Sequence, residues 1–317
     1  MNHRRPRIAV LYNHSTEGDR RRVAHAVTRE LKEAGLRAFL LGIAPPLRRV
    51  VRRLENQKPD AVLNLVDRFA GDPAGGARIA ALLELLRLPF TGSSSEAIAF
   101  GSSRARAKAR LLCSGLPIAP ADSIARDDPI PATWRGPVVV KSEAEPIGQG
   151  IAPESVVSAP ADLPAQVDRL RAAGASTVLL ERYLPGPEYQ VGLLALPRPV
   201  ALPVAEVVFD FDPQTSPRPI LTGEGVTLRC PAEIESARAE QLENLAVAAF
   251  LAHGGRDLAR VDFRLDDRGE PMILAVRLSP DLAPSASWAQ ALRASGRDYR
   301  ETLVALAFQA IERGCNA

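Results

Sequence analysis

The chain has 317 residues, with 40 Lys plus Arg against 37 Asp plus Glu, and a formal net charge of +3 argues against a nucleic-acid or polybasic-membrane partner. Its 46% hydrophobic and 24% charged residues exclude a disordered chain, and its length suggests two or three packed units. Only Lys32, Lys58, Lys108 and Lys141 among the basic residues are lysine, which singles out each of them for inspection.

The basic N-terminus leads into an apolar run at residues 8–12 that is too short for a signal-peptide core. No stretch approaches the length of a membrane span. Cys113, Cys230 and Cys315 are odd in number and widely spaced, which fits neither a disulfide framework nor a metal site. They read as structural cysteines in a reducing, cytoplasmic compartment.

In chain order, residues 8–12 read as a buried strand. Val23, Val27 and Leu31 recur every fourth residue in a helix ending at Gly35. A strand at 37–41, a helix at 46–54 and a strand at 61–65 extend this into a doubly wound α/β unit. After a break at Pro73, residues 79–86 are predicted helical and 88–94 a short strand running into a polar turn. The first boundary falls near Ser95. A basic helix spans 103–112, followed by a strand at 137–141 and a glycine-bearing loop with Gly148 and Gly150. A helix at 161–173 and a strand at 177–181 complete a small α+β lobe. The last third reads as strands at 189–196 and 200–208, a Pro- and Gly-rich loop at 209–225, and a helix at 232–253. Strands at 260–265 and 271–277 and a helix at 299–313 close the chain. The expected division is 1–95, 96–185 and 186–317.

Several segments in this order carry a resemblance: residues 59–66 and 82–93, Val138 to Val140 followed by Lys141, the run from Leu179 through Glu181, Tyr183 and Leu184 to Glu188, the Arg260, Val261, Asp262 strand, and Leu278, Ser279 and Pro280. Together they resemble ATP-grasp proteins of the D-alanine-D-alanine ligase type over nearly the whole chain. The resemblance implies an α/β ATP-grasp fold: an N-terminal Rossmann-like domain, a central α+β lobe and a C-terminal α+β lobe, with ATP gripped between the last two. It also implies ligation through an acylphosphate, in which a substrate carboxylate attacks the γ-phosphate and an amine then displaces phosphate.

Residue by residue, the resemblance assigns Lys141 to a phosphate, with a snorkelling strand-end lysine as the alternative. It assigns Glu181, Tyr183 and Leu184 to adenine, and Glu188 to ribose. Arg260 falls to the transferring phosphoryl group or oxyanion and Asp262 to magnesium, and alternation places these two on one strand face. Arg104 stands where a nucleotide-contacting lysine is expected, and Gly148 and Gly150 permit close backbone approach to phosphates. Lys108 falls on another family lysine position, but a solvated helix face is the simpler reading of it. The family's Glu-x-Asn magnesium pair is replaced by Ala275 and Arg277, which supply no hard oxygen ligand, so the magnesium requirement is in doubt. Arg277 either neutralises ATP phosphates in place of the metal or fills the empty site by pairing with Asp262. The glutamate expected to bind a substrate amine aligns with Gly18, one residue from Glu17, and the last substrate serine aligns with Ala286, between Ser285 and Ser287.

Two functions follow. One is an ATP-dependent carboxylate-amine ligase acting on an amino acid or other carboxylate with impaired metal-dependent catalysis. The other is a non-catalytic homologue that binds nucleotide or a partner protein. No nucleic-acid or membrane partner is expected, and a homodimer or pairing with an active relative is.

Overall fold

The computed structural model describes residues 5–14, 18–72, 74–131, 134, 136–143, 151–210, 220 and 226–315. The chain opens with β1 (Arg7–Asn13), α1 (Gly18–Glu33), β2 (Arg37–Ile43), α2 (Leu47–Gln57) and β3 (Ala61–Asn64), followed by α3 (Gly75–Leu85). The strands form a parallel sheet in the order β2-β1-β3. Both faces of this sheet are covered, which is why β1 reads as an unbroken apolar run rather than an alternating one. Ala9 and Leu11 pack with Val50, Leu54 and Ile79, while Ile8 and Val10 pack on the other side with Val27 and Leu31.

The short strand expected at 88–94 reduces to a single bridge between Val62 and Phe90. The Val62 N–H donates to Pro89 and the Thr91 N–H donates back to Val62, but Pro89 has no N–H of its own to extend a ladder. Two serine caps then start two helices, α4 (Ser95–Gly101) and α5 (Arg104–Cys113). Ser94 accepts from the Ala97 N–H and Ser103 from that of Arg106. The sequence reading had only the second of these helices.

Next come β4 (Ala121–Ala125), β5 (Val138–Ser142), β6 (Val156–Val157), α6 (Leu163–Ala172) and β7 (Thr177–Arg182), with the strands in an antiparallel sheet ordered β4-β7-β5-β6. Strand alternation divides its residues cleanly. Val138, Val140, Val178 and Leu180 pack with Leu163 and Val167 of α6, which turns Val139, Lys141 and Glu181 to the opposite face.

The remaining strands are β8 (Glu188–Ala195), β9 (Pro199–Ala201), β10 (Ala205–Phe209), β11 (Val226–Arg229), β12 (Leu258–Leu265) and β13 (Pro271–Arg277), with α7 (Ser236–Ala252), α8 (Ser287–Ala294) and α9 (Tyr299–Cys315). Their order is β11-β10-β8-β12-β13, and β9 also pairs with β8. The single strand expected at 200–208 is broken around Pro203, where the Leu202 N–H donates to Gly192. The helix expected from 232 starts at Ser236, because the Ala232 N–H is held by the Val204 carbonyl on the sheet. α8 and α9 return to the first sheet, where Trp288, Leu303 and Ala310 join Ile8 and Val10 in one apolar cluster.

A buried tie fixes the first sheet to the last. Asp257, fully buried, accepts hydrogen bonds from Arg313, Gln309 and the Gly92 N–H. A second close approach joins the two antiparallel sheets at Gly186, whose N–H donates to Leu265. A Cβ there would lie 2.7 Å from Leu265 atoms, so only glycine fits without displacing β12. Cys113 and Cys315 are exposed and Cys230 partly buried, all as free thiols, so exposure contradicts a core-packing role for the first two. No helix among the described residues is long and apolar enough to cross a membrane.

Candidate functional site

Two antiparallel sheets face each other across a cleft, and β12 and β13 supply one wall. In this hairpin Arg260 pairs with Arg277 and Asp262 with Ala275, so register alone places all four on one face. Asp262 is buried and fully engaged. Its Oδ1 accepts from Arg260 Nε at 2.7 Å, and its Oδ2 from Arg277 Nε at 2.7 Å and Arg260 Nη2 at 3.1 Å. Burial alone would raise the Asp262 carboxyl, but the two guanidiniums hold it below its ordinary value. Magnesium demands an octahedral shell of hard oxygens. Here the candidate ligand is neutralised by two cations, Ala275 offers no oxygen, and no group of three or more His, Cys, Asp or Glu side chains among the described residues could hold a metal ion. This donor set does not fit magnesium.

The opposite wall carries a buried charge cluster. Glu181 on β7 is gripped by Lys108 from α5 and Lys141 from β5, each with its Nζ 2.5 Å from a different carboxylate oxygen. Arg104, one helical turn before Lys108, donates to the Ser142 carbonyl. All four side chains are buried. Burial alone would push the Glu181 carboxyl up, but the two lysines more than offset it and hold it at about 2. Lys141 is lowered to about 8, chiefly by burial, with Lys108 and Arg104 adding to the fall and Glu181 opposing it. The reading of Lys108 as a solvated helix residue is therefore wrong. It shares a buried stripe with Arg104 and Leu111, at the spacing that brings helical residues onto one face.

Between the walls, Tyr183 and Leu184 are buried and line the cleft. The Tyr183 N–H is already taken by the Pro137 carbonyl at 3.0 Å. Glu188 is buried at the start of β8, and burial, opposed in part by Arg264, pushes its carboxyl up to about 7. Arg264 was not anticipated from the sequence, although it continues the Arg260, Asp262 alternation by one step. Its guanidinium lies 3.8 Å from Glu188, donates to the Gly186 carbonyl and the Tyr183 hydroxyl, and stacks over the rings of Tyr183 and Phe209. Six cations among the described residues line the cleft, Arg104, Lys108, Lys141, Arg182, Arg264 and Arg277, against the three acids Glu181, Glu188 and Asp262. Leu111, Val139, Leu274 and Val276 add apolar surface.

Arg277 also lines an adjoining cavity, together with Arg260, Ser279, Asp281, Ser285 and residues of the first sheet. Ser287, the first residue of α8, accepts from Arg260 Nη1 at 3.3 Å, and Ala286 is the capping residue just before it. Of the sequence-selected residues, Arg104, Lys141, Glu181, Tyr183, Leu184, Glu188, Asp262 and Arg277 converge on the cleft, and Arg260 lines the cavity on the far side of Arg277. Gly148, Gly150 and Glu17 lie outside the described residues.

A parallel α/β unit followed by two antiparallel sheets closing on a cationic cleft is the architecture of ATP-grasp enzymes. The structure superimposes on D-alanine-D-alanine ligase from Bacillus anthracis complexed with ATP with a TM-score of 0.80, at 16% identity, over 97% of this chain and 98% of that one. Residues 126–307 match the family model described as "D-ala D-ala ligase C-terminus". The chain is 31% identical to the D-alanine-D-alanine ligase of Alcanivorax borkumensis over 74% of its length and 73% of that protein's. It is 30% identical to the uncharacterized protein y4sG of Sinorhizobium fredii, over 88% of this chain and 84% of that one. The chain belongs to the D-alanine-D-alanine ligase family.

Proposed function

We propose that this protein binds ATP in the cleft through guanidinium and ammonium groups instead of magnesium, and that its carboxylate-amine ligase chemistry is correspondingly impaired. The observation that carries this is the Arg260–Asp262–Arg277 arrangement, in which the Arg277 guanidinium sits against the carboxylate a metal would need. The cationic lining suits a polyphosphate, with Arg104, Lys141 and Arg277 as its contacts, and the apolar surface around Leu184 suits a flat base. On this reading Glu181 holds the two lysines in place, Tyr183 and Leu184 line the base pocket, and Arg264 restrains Glu188 at the ribose position. Arg260 faces the reacting groups from the cavity side, where an amino acid or other carboxylate would sit. The loop with Gly148 and Gly150 would cover the phosphates. We also propose a division at residues 1–95, 96–185 and 186–317, a cytoplasmic location, and a homodimer or pairing with an active relative. Leu85 on α3, 82% exposed, supports an interface on the first unit.

Isothermal titration of ATP in EDTA and in magnesium tests the binding mode. The expected result is binding in both, differing by no more than about threefold. No binding in either condition removes the nucleotide reading, and strong magnesium dependence removes the metal-replacement reading. Losing a metal clamp forfeits several kcal/mol of transition-state stabilisation, at about 1.4 kcal/mol per tenfold in rate. The same observation therefore favours a second reading, in which the protein is a non-catalytic nucleotide-binding homologue. ADP release against a panel of D- and L-amino acids separates the two, since turnover above background excludes the second.

The cleft also predicts a pH dependence. Glu188, held at about 7, gains negative charge as pH rises, and Lys141, held at about 8, loses positive charge. Both changes oppose an anion, so ATP affinity should fall by about tenfold or more between pH 7 and 9, above the range near pH 6 where phosphates titrate. A flat profile across that window would show that neither group faces the ligand.

A further inference from the structure

We infer that Arg264 is a specificity-determining residue of the cleft, one that shares a sugar hydroxyl of the bound nucleotide with Glu188 and so selects an intact ribose. The pairing is set by the backbone, since the β8–β12 register puts Arg264 directly opposite Glu188 and both line the cleft. Both side chains are only 5% exposed, yet their closest atoms, Arg264 Nη1 and Glu188 Oε2, stand 3.8 Å apart. That is beyond hydrogen-bond reach. Two residues earlier on the same strand, Asp262 closes to 2.7 Å on Arg260 and to 2.7 Å on Arg277, so an open ion pair is not the rule on this face.

The gap has a structural cause. Arg264 Nε donates to the Gly186 carbonyl and Nη2 to the Tyr183 hydroxyl, each at 3.1 Å, and the guanidinium is stacked over the rings of Tyr183 and Phe209. A guanidinium is a rigid planar fork, so fixing two of its nitrogens fixes the third. Nη1 is left without an acceptor among the described residues, and neither oxygen of Glu188 has a hydrogen-bond donor among them. Polar groups this deeply buried are rarely left unsatisfied. The group that fits between such a donor and such an acceptor is one that accepts and donates through a single atom. A hydroxyl does both, whereas an ionised phosphate or carboxylate oxygen only accepts and an ammonium only donates.

The role of Arg264 rests on the reading of the cleft as a nucleotide site with Glu188 at the ribose. It is tested by calorimetric titration of the full-length chain with ATP, 2′-deoxyATP and 3′-deoxyATP. The deoxynucleotide that lacks the shared hydroxyl should bind at least about tenfold more weakly than ATP, because it leaves two buried groups unpaired. Arg264→Met keeps a long side chain against the two rings but removes the donor, and should reduce that ratio to about threefold or less. Tyr183→Phe, made separately, removes the acceptor that holds Nη2, lets the guanidinium turn onto Glu188 and close the gap, and should reduce the ratio likewise. A merely structural Arg264 would weaken all three nucleotides together and leave the ratio unchanged. ATP binding with equal affinity for both deoxynucleotides, or a ratio that survives the substitutions, would overturn the proposal and leave the nucleotide reading standing. Tyr183→Phe decides alone if Arg264→Met does not fold. No binding of ATP to the unmodified chain would remove the nucleotide reading and the role of Arg264 with it.

Discussion

Replacing Glu181 with Gln should destabilise the protein by about 3 kcal/mol at pH 7, because it leaves the buried ammonium groups of Lys108 and Lys141 without their shared counter-charge. The pH dependence of that loss follows from linkage. The Glu181 carboxyl is held at about 2 in the folded protein, against an ordinary value of 4.5. A depressed carboxylate contributes stability above its unfolded value and loses it as pH falls through the folded one. The difference between the original chain and the variant should therefore be full above pH 4.5 and shrink as the pH falls towards about 2. Urea unfolding at a series of pH values measures it, and a difference that does not change with pH would show that the ion cluster is not its source.

The same substitution makes a less intuitive functional prediction. Removing an acid from an anion-binding cleft would ordinarily strengthen anion binding. Here Glu181 is what holds the proton on Lys141 against burial and the neighbouring cations Lys108 and Arg104. Without it Lys141 should be largely neutral at pH 7.5, and ATP affinity should fall rather than rise. Adding Lys108→Met to the Glu181→Gln variant removes the uncompensated ammonium beside Lys141 and should recover part of both losses. An additive double variant would mean that the two residues act independently, contrary to their 2.5 Å ion pair.

The signals legible in the sequence were those carried by period and register. The parallel sheet was legible because its strands are continuously apolar, and Lys141 because it ends a run of valines. Arg260 and Asp262 were placed on one face by alternation alone. The failures occurred where tertiary contacts override the local pattern. Arg104 and Lys108 are charged, so hydropathy assigned Lys108 to solvent, yet a helix that buries Leu111 buries both on the same stripe. Arg264 carries a charge at the end of a strand, where exposure is the ordinary expectation. Its burial depends on Tyr183, Phe209 and Gly186, which are distant in sequence. The α8 helix has no counterpart among the predicted elements, because its short alanine- and serine-rich run becomes helical only by docking Trp288 and Leu292 against the first sheet.

The paired substitution Ala275→Glu and Arg277→Asn should make ATP binding magnesium-dependent. In the β12–β13 hairpin residue 275 lies directly opposite Asp262, so a glutamate there brings a second carboxylate to the same face. Changing Arg277 removes one of the two guanidiniums that occupy Asp262 and offers an amide oxygen in its place. Oxygen ligands at 262, 275 and 277 together with the phosphates of the nucleotide can then approach the octahedral set that magnesium requires. Either substitution alone should fail. Glutamate at 275 beside an intact Arg277 would form a further ion pair with it, and asparagine at 277 without a second carboxylate would leave Asp262 engaged by Arg260. The expected gain is about tenfold or more in ATP affinity on adding magnesium to the double variant, with little change in the original chain or either single variant. If the double variant remains indifferent to magnesium, the arginine has not taken the place of a metal, and some other departure in the cleft, such as Arg264 against Glu188, controls how the nucleotide is held.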